Sequence, residues 1–325
     1  MRKIQHYFVA SLLLAGCVAV CSSCAAKTSP SMKQQSEAAS EVVRQNYKAS
    51  NQTFRTYDVS SFSQIVVGAV VSVHFTQGSP SSVKMRAQKG KLDWIDVECK
   101  GGCLTIRSNE KYDKGHKNEP MLIDAYITAP KINSIVLSGA AKFHSESIES
   151  NVLKINLSGV VNMDVNRIKC TSLDVNSSGV SQMKANVSAT NMNMINTGSS
   201  KVNLNFNGNT LTINNSGASK ADVSGRFTSL TAVNSGASKF MLRGRCTLVD
   251  IKNSGASMVD ADIDGTGVSI YNSGNSKVSA KIDYTTLKVE NSGAASLILK
   301  GSADKVSITG SGASSVNIKE LNKYD

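Results

Sequence analysis

The chain is poor in the residues from which most catalytic centres are built. It has 4 histidines in 325 residues. His6, His74, His116 and His144 are scattered, and no nucleophile, base and orienting acid recur in a recognisable local arrangement. Of the 7 cysteines, Cys17, Cys21 and Cys24 crowd the N-terminus, and the rest have no metal-quartet spacing. Aromatic side chains make up 5% of the chain, which, in a protein that opens like an exported one, argues against nucleic-acid binding. The Gly-rich Ca²⁺-binding nonapeptide G-G-x-G-x-D is missing. Acidic residues are also short, 24 against 36 Lys and Arg, for a formal net charge of +12 that falls by two if Arg2 and Lys3 are removed. Such a balance favours anionic glycans, lipid head groups or acidic partners.

What the chain has in abundance is a repeat. Gly sits in an S/T-G-small-small tetrad at 10 positions, from Gly139, Gly159 and Gly179 through Gly198, Gly217 and Gly236 to Gly312, at intervals of 20 and then 19 residues. A constant period over more than half the chain means that each repeat is one turn of a solenoid. Apolar residues stand six and four positions before the Gly (Leu211 and Ile213, Leu230 and Ala232) and four and six after it (Val202 and Leu204, Phe240 and Leu242). Spacing of two is strand periodicity, so each coil holds two short strands bent at the tetrad and again at a more variable turn. Helical solenoids need longer repeats and helix formers, whereas these coils are rich in Val, Ile, Ser, Thr and Asn. The sequence therefore predicts an all-β fold, a right-handed parallel β-helix with about ten regular coils over 138–318.

Two positions before the Gly, Asn recurs at Asn196, Asn215, Asn234, Asn253, Asn272 and Asn291. Parity with the apolar columns puts these amides inside the corner, where stacked Asn side chains can hydrogen-bond up the axis. The neighbouring Ser216, Ser235, Ser254 and Ser273 are expected to satisfy turn backbone groups. Three positions after the Gly, Lys142, Lys201, Lys220, Lys239 and Lys277 line the outside, and form either a binding stripe or a solubility stripe that hinders aggregation.

Met1-Arg2-Lys3, the apolar run Tyr7 to Leu14 and then Leu14-Ala15-Gly16-Cys17 make a secretory signal over 1–16, too short to span a bilayer stably. Leu-Ala-Gly-Cys looks like a bacterial lipobox, with Cys17 as the lipidated residue and Cys24 as the alternative; simple secretion with cleavage near Ala25 is the competing reading. Residues 17–56 read as a lipid-anchored tether that holds the folded part off the membrane. Residues 57–325 read as a single solenoid domain, with 57–137 as irregular first coils and cap. Cys99 and Cys103 bracket Lys100-Gly101-Gly102 in an apparent hairpin, where either a disulfide or two reduced thiols would fit.

Phe62-Ser63-Gln64-Ile65-Val66-Val67-Gly68-Ala69-Val70-Val71-Ser72-Val73, then Thr76-Gln77-Gly78, Gly102-Cys103-Leu104-Thr105-Ile106, Pro130-Lys131-Ile132 and the serial S-G-A-S-K tetrads resemble the adhesin head GIN-domain family over roughly 57–318. The resemblance implies an envelope lipoprotein of the outer membrane, facing the periplasm or the exterior, with a right-handed β-helix and no established catalytic residues, and assigns no functional residue here. Against it stands the chemistry of β-helical polysaccharide enzymes, which use acidic and basic clusters on an outer groove. Asp260, Asp262 and Asp264 alternate on one face with Arg243 and Arg245 a coil below, which would hold Ca²⁺ or a sugar acid, or be a solvated face. The leading expectation is a non-catalytic, cofactor-free, lipid-anchored surface that binds an anionic glycan or a protein. A polysaccharide-active enzyme and a purely structural envelope protein are the alternatives.

Overall fold

The structure is a computed structural model that describes residues 52–109 and 122–323. The signal peptide, Cys17, Cys24, His6, His116 and most of the tether lie outside the described residues. Among those described, strands join edge to edge into one sheet coiled on itself.

The N-terminal part holds β1 (Gln52–Tyr57), β2 (Gln64–Gly68), β3 (Ser72–Gln77), β4 (Ser82–Gln88), β5 (Ile95–Lys100), β6 (Cys103–Ser108), β7 (Ile123–Ala129), β8 (Ser134–Ser138) and β9 (Lys142–Ser145). β2 pairs in parallel with both β6 and β8, and β3 with both β7 and β9. The coil that comes first in sequence is therefore second in space, with β6 and β7 on its outer side. Chain order carries no signal of which strand is inserted between which, so this inversion has no counterpart in the sequence pattern. Outside β6 and β7 the pairing reverses: β4 runs antiparallel to β7, β1 to β4, and β5 to β6. These strands end the parallel stack and cover an edge that would otherwise template another chain.

One boundary is corrected here, and the choice left open at Cys99 and Cys103 is met by reduced thiols. The tether does not reach residue 56, because Gln52–Tyr57 already form β1, in register with β4 from Gln52↔Gln88 to Tyr57↔Val83. Cys99 and Cys103 are free thiols. Cys99 is opposite Leu104 and Cys103 opposite Lys100. Directly opposed residues share a face and neighbours alternate, so the two thiols leave opposite faces of the hairpin. Cys99 packs against the core, and its Sγ contacts Ser60 O at 3.5 Å.

After the linking strand β10 (Ile148–Leu157), regular coils follow as β11 (Asn162–Ser177), β12 (Gln182–Asn196), β13 (Lys201–Asn215), β14 (Lys220–Asn234), β15 (Lys239–Asn253), β16 (Met258–Asn272), β17 (Lys277–Asn291) and β18 (Ser296–Gly310). Each is parallel to the next, and the register skips one residue at mid-strand, Asn209 in β13, where the chain bends back. Each coil is thus two strand halves packed face to face. In β13, Val202, Leu204 and Phe206 from one half meet Leu211 and Ile213 from the other, all at most 1% exposed. Burying a side chain of this size contributes about 1.5–3 kcal/mol.

The tetrad turns close on one another. Gly217 has φ +74, and a Cβ there would stand 2.8 Å from the Gly198 carbonyl oxygen, so both conformation and space require glycine. The mid-strand bend uses a second device. Phe206 lies in register with Gly225, and Gly208 with Phe227, so a large side chain on one coil covers a glycine on the next. Tyr284 likewise lies over Gly265 and donates its hydroxyl to Cys246 O at 2.7 Å.

At the far end, β19 (Ser315–Lys323) covers only the first half of β18. Among the described residues no strand stacks on Lys305–Gly310 on the side away from β17, and Val306 and Ile308 are only partly buried.

Candidate functional site

The Asn column is buried, each side chain at most 1% exposed. Nδ2 of Asn196 donates to Oδ1 of Asn215 at 2.7 Å, and the relay continues through Asn234, Asn253 and Asn272 to Asn291 at 2.7–2.9 Å. The second amide proton goes to a backbone carbonyl of the next coil: Asn196 to Lys220 O at 3.3 Å, Asn215 to Lys239 O at 3.2 Å, Asn253 to Lys277 O at 3.3 Å. From Asn196 to Asn272 each Asn oxygen also accepts from the hydroxyl four residues on, as Ser219 to Asn215 and Ser238 to Asn234 at 2.6 Å. These buried serines, two positions after the Gly in the coils from Ser181 to Ser276, were not singled out in the sequence, where attention falls on the Ser216 column instead. Their signal was parity: they fall on the inward phase of the corner.

The ladder therefore fixes the backbone on which the lysines stand. Lys201, Lys220 and Lys239 are consecutive partners in register, about 4.8 Å apart along the axis. The column is not continuous. Met258 separates Lys239 from Lys277, while Asn162 and Gln182 separate Lys142 from Lys201. Stacked ammonium groups repel, and water and salt screen the repulsion.

The acidic cluster of the same face is tied up in ion pairs across the rungs. Asp264 accepts from Arg245 at 2.6 Å, Arg243 turns to Asp222 at 3.2 Å, and Lys281 stands 3.9 Å from Asp262. The Asp264 carboxylate holds the Arg245 guanidinium above its ordinary pKa. Asp260 is exposed in register between Met241 and Ser279. Among the described residues, no three carboxylate, imidazole or thiol groups converge as metal ligands. Cys170 and Cys246 occupy one column four coils apart, through Ala189, Gly208 and Phe227. Burial pushes the Cys246 thiol up to about 12 and the Cys170 thiol to about 11.

In the first coils His74 stacks on Tyr126 at 5.0 Å and approaches Asp124 at 3.3 Å, while Arg86 reaches the same carboxylate at 2.7 Å. His144, in register with His74, contacts Glu146 at 3.2 Å. Each imidazole has its own carboxylate partner.

Residues 61–223 and 259–324 match the family described as "Putative auto-transporter adhesin, head GIN domain". The chain belongs to this family. No curated protein matches it. Solved structures that resemble it include a "putative adhesin" of Bacteroides fragilis NCTC 9343, 20% identical, covering 74% of this chain and 98% of that one with a TM-score of 0.46. A "putative lipid binding protein" of Parabacteroides distasonis ATCC 8503 is 17% identical, with 80% and 98% covered and a TM-score of 0.45. A "putative adhesin" of Parabacteroides merdae ATCC 43184 is 15% identical, with 83% and 97% covered and a TM-score of 0.42.

Proposed function

We propose that this GIN-domain protein is a non-catalytic adhesin of the bacterial cell envelope, lipid-anchored at Cys17 or Cys24 in the outer membrane. On this reading it offers the charged face of its solenoid to an anionic glycan or an acidic protein surface. The observation that carries the reading is the run Lys201, Lys220, Lys239, three ammonium groups in register on backbone that the Asn ladder holds in place. A preorganised row of like charge loses little freedom when an anionic chain settles along it. Family membership supports the adhesive role. The pairing of Asp264 with Arg245, and of Asp262 with Lys281 at 3.9 Å, supports reading this acidic face as a solvated, ion-paired surface.

The test is binding of the mature protein to sulfated and uronic-acid oligosaccharides, repeated with Lys201, Lys220 and Lys239 all changed to Glu. At least a tenfold loss, and weakening of the wild type as salt rises, is expected. Affinity indifferent to both would sink the stripe as a binding site. Acylation is read separately: Cys17→Ala should abolish the lipid mass and membrane partition, whereas loss with Cys24→Ala alone would move the anchor.

A further inference from the structure

We propose that two copies of this chain join tail to tail at the β19 end of the solenoid, each supplying one half of a shared coil. The contact lies apart from the binding stripe and uses none of its lysines.

The two ends of the solenoid are built differently. At the first-coil end the short 3₁₀ helix Lys91–Trp94 leads from β4 to β5 and buries Leu92. Together with the antiparallel strands β1, β4 and β5 it closes the core there. At the other end, among the described residues, the last rung is a half coil. β19 lies on Ser296–Ala303, and the second half of β18 carries no strand on that side. Columns that are sealed one coil earlier open here: Leu287 and Val289 are buried, whereas Val306 and Ile308 in register with them are only partly so. Val316, in the column of buried Leu297, is 37% exposed, and Ile318 is partly buried. β19 thus has an apolar inner face with no strand half opposite it at its own level.

This end is not prepared for another coil of the parallel stack. Gly310 stands where the Asn column would continue. Asn291 instead gives its amide protons to Ala295 O at 3.2 Å and Ser315 O at 2.9 Å, so the ladder closes on the backbone. Head-to-tail addition would also have to displace the closed first-coil end.

What fits is the same end of a second copy. The end is a step, high at β19 and low at Lys305–Gly310. The two halves of a coil run in opposite directions, so a two-fold axis along the strands seats the high side of one copy on the low side of the other. β19 of each then lies antiparallel to Lys305–Gly310 of its partner, and the two β19 strands face each other across the core. Val316 and Ile318 meet their own counterparts there, which makes the contact isologous and closed. Both open edges become paired, and the aliphatic columns are sealed. A single extended peptide laid on Lys305–Gly310 would leave the outer edge of β19 free. In the joined rod β1, where each chain enters the fold, lies at opposite ends, the arrangement of a contact between two surfaces rather than within one.

The test is sedimentation of the unacylated mature protein in reductant, which keeps the free thiols Cys99 and Cys103 from cross-linking copies. A reversible monomer–dimer equilibrium is expected within about 1–300 µM, the range of a small, complementary interface. Val316→Asp and Ile318→Asp should each raise the dissociation constant tenfold or more, because the dimer would bury two carboxylates face to face. Val160→Asp, at a side chain 63% exposed on a coil corner, should leave it unchanged. Since Val316 is already open in the monomer, Val316→Asp at low concentration should melt close to the wild type, which separates lost association from lost folding. Spin labels in a Cys99→Ser, Cys103→Ser background report the geometry. Labels at Asn317→Cys stand outside facing sheets about 10 Å apart, so a separation of about 20–30 Å is expected. Labels at Phe54→Cys in β1, roughly ten rungs of about 4.8 Å away in either copy, should show none below about 60 Å. A monomer at every concentration overturns the proposal and leaves this end to a strand of another protein or to chain outside the described residues. So does a dimer untouched by Val316→Asp, or one whose Phe54 labels come close together.

Discussion

From β11 to β18 each strand lies parallel to its copy one coil away, whereas from β1 to β7 three of the pairings are antiparallel and strands far apart in sequence alternate in space. The two regions bury the same kinds of side chain. They differ in what determines a residue's role. In the repeat, position within the coil decides whether a side chain is core, ladder or surface. In the first coils a role comes from one specific long-range partner, as when Asp124 is shared by Arg86 and His74. Substitutions in the repeat should therefore disturb a stack, and those in the first coils a single contact.

The largest effect is expected from Asn234→Asp. An ionised carboxylate cannot donate to Asn253 Oδ1 or Met258 O, as the amide does at 2.8 and 3.1 Å, and it would be buried without a counterion. The loss should be about 3 kcal/mol near neutral pH, measured by urea unfolding. Burial raises the pKa of the new carboxyl above its unfolded value, so native stability is retained below about pH 4 and falls as pH rises through the folded-state pKa. A variant equally stable at pH 4 and pH 7 would show that the ladder tolerates charge.

Next comes a matched pair of glycines. Gly217→Ala combines φ +74 with a 2.8 Å approach to the Gly198 oxygen, whereas Gly101→Ala, at φ +58 in the β5–β6 hairpin, meets nothing within 4 Å. The first should cost about 2–3 kcal/mol and the second about 1 kcal/mol, the left-handed penalty alone. Equal costs would mean that turn stacking adds nothing. Asp124→Asn should cost about 1 kcal/mol or less, because the Arg86 and His74 side chains it releases are partly exposed.

Thiol chemistry has the smallest energetic consequence. At pH 8 under non-reducing conditions Cys99 and Cys103 should both be alkylated, while Cys246, pushed up to about 12, and Cys170, at about 11, react only in denaturant. An intact mass showing a bridge would overturn the hairpin register.

The same contrast explains what could be read in advance. Phasing on Gly placed Leu211, Ile213 and Asn215 inside, because a period of two repeated in every coil leaves no other arrangement. Insertion of β2 between β6 and β8 had no counterpart in the pattern, since pairing across 64–138 depends on which edge is free rather than on alternation. The Phe206–Gly225 and Gly208–Phe227 exchange looked like noise within one coil and becomes regular only when coils are laid over one another.

The Asn ladder makes coil number a free variable. Every amide from Asn215 to Asn272 gives one hydrogen bond forward and takes one from behind, so the coils between them present identical connectors at both ends. Excision of residues 216–234, one 19-residue period, would join Asn215 to Ser235 and regenerate the same Asn-Ser-Gly-Ala-Ser corner. Phe206 would then lie over Gly244, another glycine in that column, instead of Gly225. Duplication or loss of whole coils can thus lengthen or shorten the molecule as a ruler, changing how far its faces extend without redesigning any junction.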